Sequence, residues 1–252
     1  MDSGLYAAYT GLMARTQALD TVANNLANAG TNGFRAERDY FRGVLEDAAG
    51  ATSASASQVG SSVNGFGVLG GNQLDLSQGN IAKTGNPLDV ALRGEGFFAI
   101  QTGNRTLYTR DGAFSLSPAG VLQTAQGEAV LDPKGKAITV PTGAVQISAD
   151  GTVSVSTDTG NAVVGQIGVF RFADKSELHA ESAGRLSASL GARPIAADAT
   201  VDQGAVEGSN EDSIHGTMQL VLVQRQAEMM QKALTVFNND FDKTAAEELP
   251  RV

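Results

Sequence analysis

A chain of 252 residues, 42% hydrophobic and 18% charged, has the balance of a protein with a packed core, in one large domain or two ordinary ones. Thirty glycines against ten Phe, four Tyr and no Trp favour many turns between short β-strands. A net charge of -9 with no cluster of Lys and Arg excludes duplex nucleic acid and an anionic membrane surface as partners, and the absence of cysteine excludes a disulfide framework, a thiolate nucleophile and cysteine-bound zinc.

The charge is unevenly placed. Residues 1–30 carry Arg15 against Asp2 and Asp20, and residues 213–252 carry four cations against five anions, so most of the negative charge belongs to the stretch between two nearly neutral ends. The N-terminus lacks the basic segment and apolar run of a secretory signal, and no window approaches the ~18–20 apolar residues of a membrane span. Neither a cleaved signal nor membrane insertion is expected.

In chain order, Leu5, Ala8, Leu12, Arg15, Leu19, Val22, Leu26 and Ala29 recur at alternating steps of three and four, a heptad stripe with one charged member. The spacing predicts a helix over 3–29, capped by Asp2 or Ser3 and stopped by a left-handed Gly30, with Asn32-Gly33 turning the chain. Residues 49–72, rich in Ala, Ser and Gly, read as an extended or flexible linker within a linker region of 31–75. Gly65-Phe66-Gly67-Val68-Leu69-Gly70 within it fits the dinucleotide fingerprint letter by letter, but no strand leads in and no helix follows, so it reads as loop.

From 76 to 208, apolar runs at Leu88–Leu92, Phe97–Ile100, Ala129–Leu131, Ala137–Val140, Val153–Val155 and Val163–Phe170 alternate with turn signals such as Asp111-Gly112 and Asp132-Pro133-Lys134-Gly135. They predict a mostly antiparallel β domain, with room for a subdomain over 145–200 and a glycine-assisted hairpin at Gly94-Glu95-Gly96. At the far end Leu220, Val223, Ala227, Met230, Leu234, Phe237 and Phe241 form an unbroken heptad stripe. Ser209 and Asp212 have capping-box spacing, and the helix runs from about Ser213 until Pro250 forbids continuation, inside a terminal segment 209–252. Each helix spans on the order of 40 Å, and a narrow seam of this kind is what coiled coils bury. Periodicity alone serves equally for helices that pair and for helices that cover the β region.

Little of this could carry chemistry. His179 and His215 stand apart with no second ligand at metal spacing, no Gly-x-Ser-x-Gly elbow is present, and Glu247-Glu248 and Asp240 with Asp242 read as a solvated helix face. No catalytic residue, cofactor or metal is expected.

Three strings are more specific. Ala23-Asn24-Asn25-Leu26-Ala27-Asn28-Ala29-Gly30-Thr31-Asn32-Gly33-Phe34-Arg35 resembles the N-terminal signature of flagellar rod and hook proteins. Gln78 to Phe98, continuing through Tyr108-Thr109-Arg110-Asp111-Gly112-Ala113-Phe114, is similar to that family's entry into its β domain, and Gln203 to Asn210 resembles its approach to the C-terminal helix. The resemblance implies mixed α and β architecture, with N- and C-terminal helices (segments 1–30 and 209–252) pairing as a coiled coil about the axis of a tubular rod and β domains outside. It also implies copies of itself and other rod proteins as partners, and export without a cleaved signal through the flagellum's type III apparatus. Leu5, Leu12, Leu19, Val22, Asn24, Asn25, Leu26, Asn28, Phe34, Leu220, Val223, Met230, Leu234, Phe237 and Phe241 are then the expected assembly residues, the asparagines bonding to neighbouring subunits. One departure is Ala227, two positions after Arg225, where the family commonly has an aromatic residue. Chain length and the Asp2 start favour a proximal-rod member over a distal-rod or hook member; a secreted β-domain binding module or glycan-active enzyme is the reading from another class.

Overall fold

A computed structural model of the chain describes residues 2–42, 68–157, 160–182 and 184–248, with side chains described within 9–40 and 71–236. Two compact units emerge, one formed by residues 1–26, 37–73 and 214–252 and the other by residues 27–36 and 74–213.

The first unit holds the long helices α1 (Asp2–Ala27) and α2 (Ser213–Glu248) and a two-stranded sheet of β1 (Glu37–Arg42) with β2 (Val68–Leu74). Both ends of the expected linker region are therefore in paired strand or in the second unit, and Val68–Leu74 takes up the last residues of the fingerprint-like string; residues 49–67 of that linker lie outside the described residues. The C-terminal helix starts at Ser213 as expected, whereas the stop of α1 differs from expectation. Gly30 is not left-handed; α1 ends at Ala27 in successive turns, with Thr31 N donating to Asn28 O and Phe34 N to Thr31 O, and the left-handed residue is Gly33 at φ 67°. Ser209 Oγ accepts from Glu211 N, two residues on, a local turn at the approach to α2. Gly216, buried, passes within α2 without interrupting it.

The second unit is antiparallel β throughout its pairings. Its largest sheet contains β5 (Phe97–Thr102), β6 (Arg105–Thr109), β7 (Ser115–Leu116), β8 (Leu122–Gln123), β9 (Ala129–Val130), β13 (Val169–Arg171), β14 (Leu178–Ser182), β15 (Arg185–Ala188) and β16 (Ile195–Ala196). A three-stranded sheet runs β10 (Ala144–Ile147), β11 (Thr152–Thr157), β12 (Gly160–Gln166), with a register irregularity at Val153/Ser154. Two strand pairs, β4 (Val90–Arg93) with β17 (Thr200–Gln203) and β3 (Ile81–Lys83) with β18 (Ala205–Glu207), bring the beginning and the end of the unit together.

This pairing corrects the hairpin expected at Gly94–Gly96: β4 and β5, on either side, belong to different sheets, because β4 is occupied by β17 while β5 pairs with β6, β9 and β13. Nor do residues 145–200 stand apart. Ile147, Val153, Val155 and Ile167 share one core with Val90, Leu92, Phe98, Ile100 and Leu122. A second cluster packs Phe97, Tyr108, Phe172, Leu178 and Leu186, with Tyr108 edge-on to Phe172 at 4.9 Å between ring centroids. Each large side chain that these clusters remove from water contributes ~1.5–3 kcal/mol.

Candidate functional site: the helix pair and the signature junction

Within the first unit, the buried residues among the described side chains of α1 are Ala14, Ala18, Thr21 and Asn25, whereas Leu12, Arg15, Leu19, Val22 and Leu26, of the predicted stripe, are half-buried. The inward row is shifted by one position and made of small residues. Its upper end shows why: a Cβ on Gly11 would stand 3.4 Å from Met230 Cε, so small side chains let α1 and α2 approach closely. On α2 the predicted stripe does face inward, with Ala227 and Leu234 buried and Leu220, Val223 and Met230 half-buried. Ala227, the departure from the family's aromatic preference, thus lies on the packed face. The side chains of Leu5, Phe237 and Phe241 lie outside those described.

The lower end of α1 is fastened to the β1–β2 ribbon by amides and hydroxyls. Asn25 Nδ2 donates to Glu37 O at 2.7 Å and its Oδ1 accepts from Glu37 N at 3.0 Å, so one side chain satisfies both backbone groups of a strand residue. Thr21 Oγ1 is 3.0 Å from Asp39 Oδ1, and Asn72 Nδ2 donates to Thr21 Oγ1 and to Glu37 Oε2. Loss of hydration pushes the Asp39 carboxyl up from its usual 3.8; the Thr21 bond pulls it down and nearby Glu37 pushes it up. Asn25, expected to reach a neighbouring subunit, is thereby committed inside its own chain. Asn24 is exposed, and Asn28 is engaged locally by Thr31.

In the second unit the three signature strings converge on Glu207. This carboxylate is fully buried; Oε1 accepts from Arg35 Nη2 at 2.5 Å and from Gly79 N at 2.8 Å, and Oε2 accepts from Arg110 Nη1 at 2.9 Å. Glu207 O accepts from Gly33 N at 2.8 Å. Asn210 makes a parallel set of bonds, its Oδ1 accepting from Ala36 N at 2.8 Å and its Nδ2 donating to Asp75 O at 2.7 Å. Phe34, predicted as an anchor, is buried here. Two glycines make the approach feasible. A Cβ on Gly33, already at positive φ, would fall 2.1 Å from Asp111 N, and one on Gly79 would fall 2.2 Å from Gly208 O.

The junction carries net positive charge, two guanidinium groups on one carboxylate. Burial pulls Arg110 below its usual range and the Arg35 charge adds to this, while Glu207 holds it up. Arg110 Nη2 also donates to Gly94 O at 2.6 Å and its guanidinium lies 5.3 Å from the Phe97 ring centre. A buried ion triad adds little net stability over apolar packing, but removing one partner leaves an uncompensated buried charge. In the sequence, Arg35, Gly79, Arg110 and Glu207 stand only as letters in three separate strings. The available signal was a Glu closing an otherwise apolar strand, Ala205-Val206-Glu207, with no cation nearby in sequence.

Among the described residues no three His, Cys, Asp or Glu side chains come together to hold a metal, and no helix is long and apolar enough to cross a membrane. His179 Nε2 sits 2.9 Å from Ser189 Oγ and is exposed. The terminal helices pair, and within the β unit a buried charge lock ties Arg35 and Arg110 to Glu207, the architecture of a structural protein. Residues 91–155 match the D1 domain of flagellar hook proteins FlgE/F/G, and residues 5–35 match the flagella basal body rod protein family. The chain is 34% identical to the flagellar basal-body rod protein FlgF of Caulobacter vibrioides over 100% of both chains. It is 33% identical to FlgF of Mesorhizobium japonicum over 90% of each chain, and 32% identical to the rod protein FlgG of Bacillus subtilis over 92% of this chain and 93% of that one. The chain belongs to the flagellar basal-body rod and hook protein family, and it is a structural subunit and not an enzyme.

Proposed function

We propose that this chain is a proximal-type subunit of the flagellar rod, polymerising through its terminal segments 1–30 and 209–252 with copies of itself and with other rod proteins to form a torque-transmitting shaft across the periplasm. The carrying observation is a second apolar row on α2, turned away from the packed stripe: Ile214, Met218, Leu222, Met229 and Val236 are all more than half exposed, as is Met13 on α1. A row of this size on a helix already paired on its other face suits a polymer in which each helix has partners on several sides. Export through the flagellar type III apparatus without a cleaved signal belongs to this reading, as does the proximal subtype, supported by full-length likeness to proteins named FlgF.

Met229→Asp and Leu222→Asp test it. Burying such side chains contributes about 1.5–3 kcal/mol each, and a carboxylate in the seam costs several more. Both variants should fold with unchanged helix content and be exported, yet be absent from purified basal bodies and fail to support swimming. Leu234→Asp, buried within its own chain, should lose the helix pair as well. Normal swimming by the Met229 and Leu222 variants overturns the assignment.

A further inference from the structure

The chain has no Cys and no Trp, so its methionines are the side chains that react most readily with an oxygen-transfer oxidant. They are not equally placed. Met218 and Met229 on α2 are 66% and 62% exposed and Met13 on α1 is 72% exposed. Met230, next in sequence to Met229, is half-buried on the packed face, its Cε 3.4 Å from the point where a Cβ on Gly11 would stand. Eleven residues make about three turns of helix, so Met218 and Met229 share the outward row with Leu222 and Val236. Met218 lies four residues from Ile214 on one side and from Leu222 on the other, and neither side chain offers a hydrogen-bond donor.

Methionine suits an apolar row only as the thioether. With hydrogen peroxide, a sulfur lone pair attacks one oxygen, an S–O bond forms and the O–O bond breaks. The departing hydroxide takes up the proton of the transferred hydroxyl and leaves as water, sulfur losing two electrons and the peroxide gaining them. The product is a polar sulfoxide whose oxygen accepts hydrogen bonds and donates none. In the free chain water answers that oxygen. Once the row is covered, the oxygen on Met218 lies between Ile214 and Leu222 without a donor from either, and the gain from burying the thioether is lost as well.

We propose that Met218 and Met229 are oxidation sites that govern entry of the subunit into the polymer. A hydroperoxide converts them to sulfoxides in the free chain and bars assembly, reduction of the sulfoxides restores it, and the assembled row is shielded. This rests on the outward row of α2 being the assembly seam and adds a regulation to it. Met230, turned into the helix pair of its own chain, is spared.

The test treats the purified full chain and isolated basal bodies with hydrogen peroxide and follows sulfoxide at each methionine by peptide mass spectrometry. Met218 and Met229 should oxidise about tenfold faster than Met230 in the free chain, and about tenfold more slowly in basal bodies than in the free chain. In cells, Met218→Gln with Met229→Gln, whose side-chain carbonyl stands in for the sulfoxide oxygen, should keep its helix content and be exported, yet fall about tenfold in basal bodies. Met218→Leu with Met229→Leu should match the parent in abundance and swimming. Equal oxidation of the three methionines in the free chain, equal rates in free chain and basal bodies, or normal incorporation of the glutamine pair would each overturn the proposal. Exclusion of the leucine pair would overturn it too, since shape and not polarity would then decide entry. Exclusion of Met229→Asp alongside normal incorporation of the glutamine pair sinks the oxidation control and leaves the seam standing, whereas normal incorporation of Met229→Asp and Leu222→Asp removes the seam beneath both.

Discussion

Glu207→Gln is the sharpest perturbation of the junction. Gln has nearly the same shape and keeps an oxygen for Gly79 N and Arg35, but it turns an amide toward Arg110 Nη1, which now sits 2.9 Å from a carboxylate oxygen. Two guanidinium groups, with side chains 1% and 3% exposed, are left without a counter-charge. Removing one partner of a buried pair costs about 3–5 kcal/mol, and here a single partner serves two cations. The second unit has about 150 residues; in a domain of that size each kcal/mol moves the midpoint by ~2–4 °C, so the variant should melt about 10–15 °C lower. Differential scanning calorimetry of the full chain, following the β transition, measures it. The triple variant Arg35→Met, Glu207→Leu, Arg110→Met removes all three charges together and should recover most of the loss. If Glu207→Gln melts within about 2 °C of the parent, the triad is not a desolvated lock and the reasoning fails.

Asn25→Ala removes two bonds to the backbone of Glu37 and should weaken the helix–ribbon unit by about 1–3 kcal/mol, with faster hydrogen exchange at the Glu37 amide; unchanged exchange would return Asn25 to an intersubunit role. Asp39, whose folded pKa is raised above 3.8, binds its proton more tightly when folded, so its contribution to stability falls as pH rises from 3.8 through the folded value. Asp39→Asn should therefore gain stability over the parent at neutral pH, and denaturant titrations should show that gain vanishing below pH 3.8; a gain that persists there would contradict the linkage. Limited proteolysis of the isolated chain should leave a β core of residues 74–213 with the peptide 27–36 still attached, and cleavage inside 74–213 while the terminal helices persist would count against the division into units.

Much of the architecture was legible in the residues because it rests on local chemistry. Alternating apolar runs and turn dipeptides specify strands; heptad steps and Pro250 specify the long C-terminal helix; the absence of cysteine and of basic clusters removes whole classes of function. The three signature strings identified the family because each is a contiguous run of letters. What only tertiary structure decided is which faces and which charges meet. Apolar bulk marked Leu12, Leu19 and Leu26 as the seam of α1, yet the buried row is Ala14, Ala18, Thr21 and Asn25, since close approach of helices selects small side chains that carry no hydrophobic signal. Gly94–Gly96 reads as a hairpin until β17, over a hundred residues later, occupies the edge of β4. Arg35, Arg110 and Glu207 are 75 and 97 residues apart along the chain, and no local pattern pairs them. A charge's partner is fixed by the dielectric and geometry of the folded interior, which exist only once distant strands have come together.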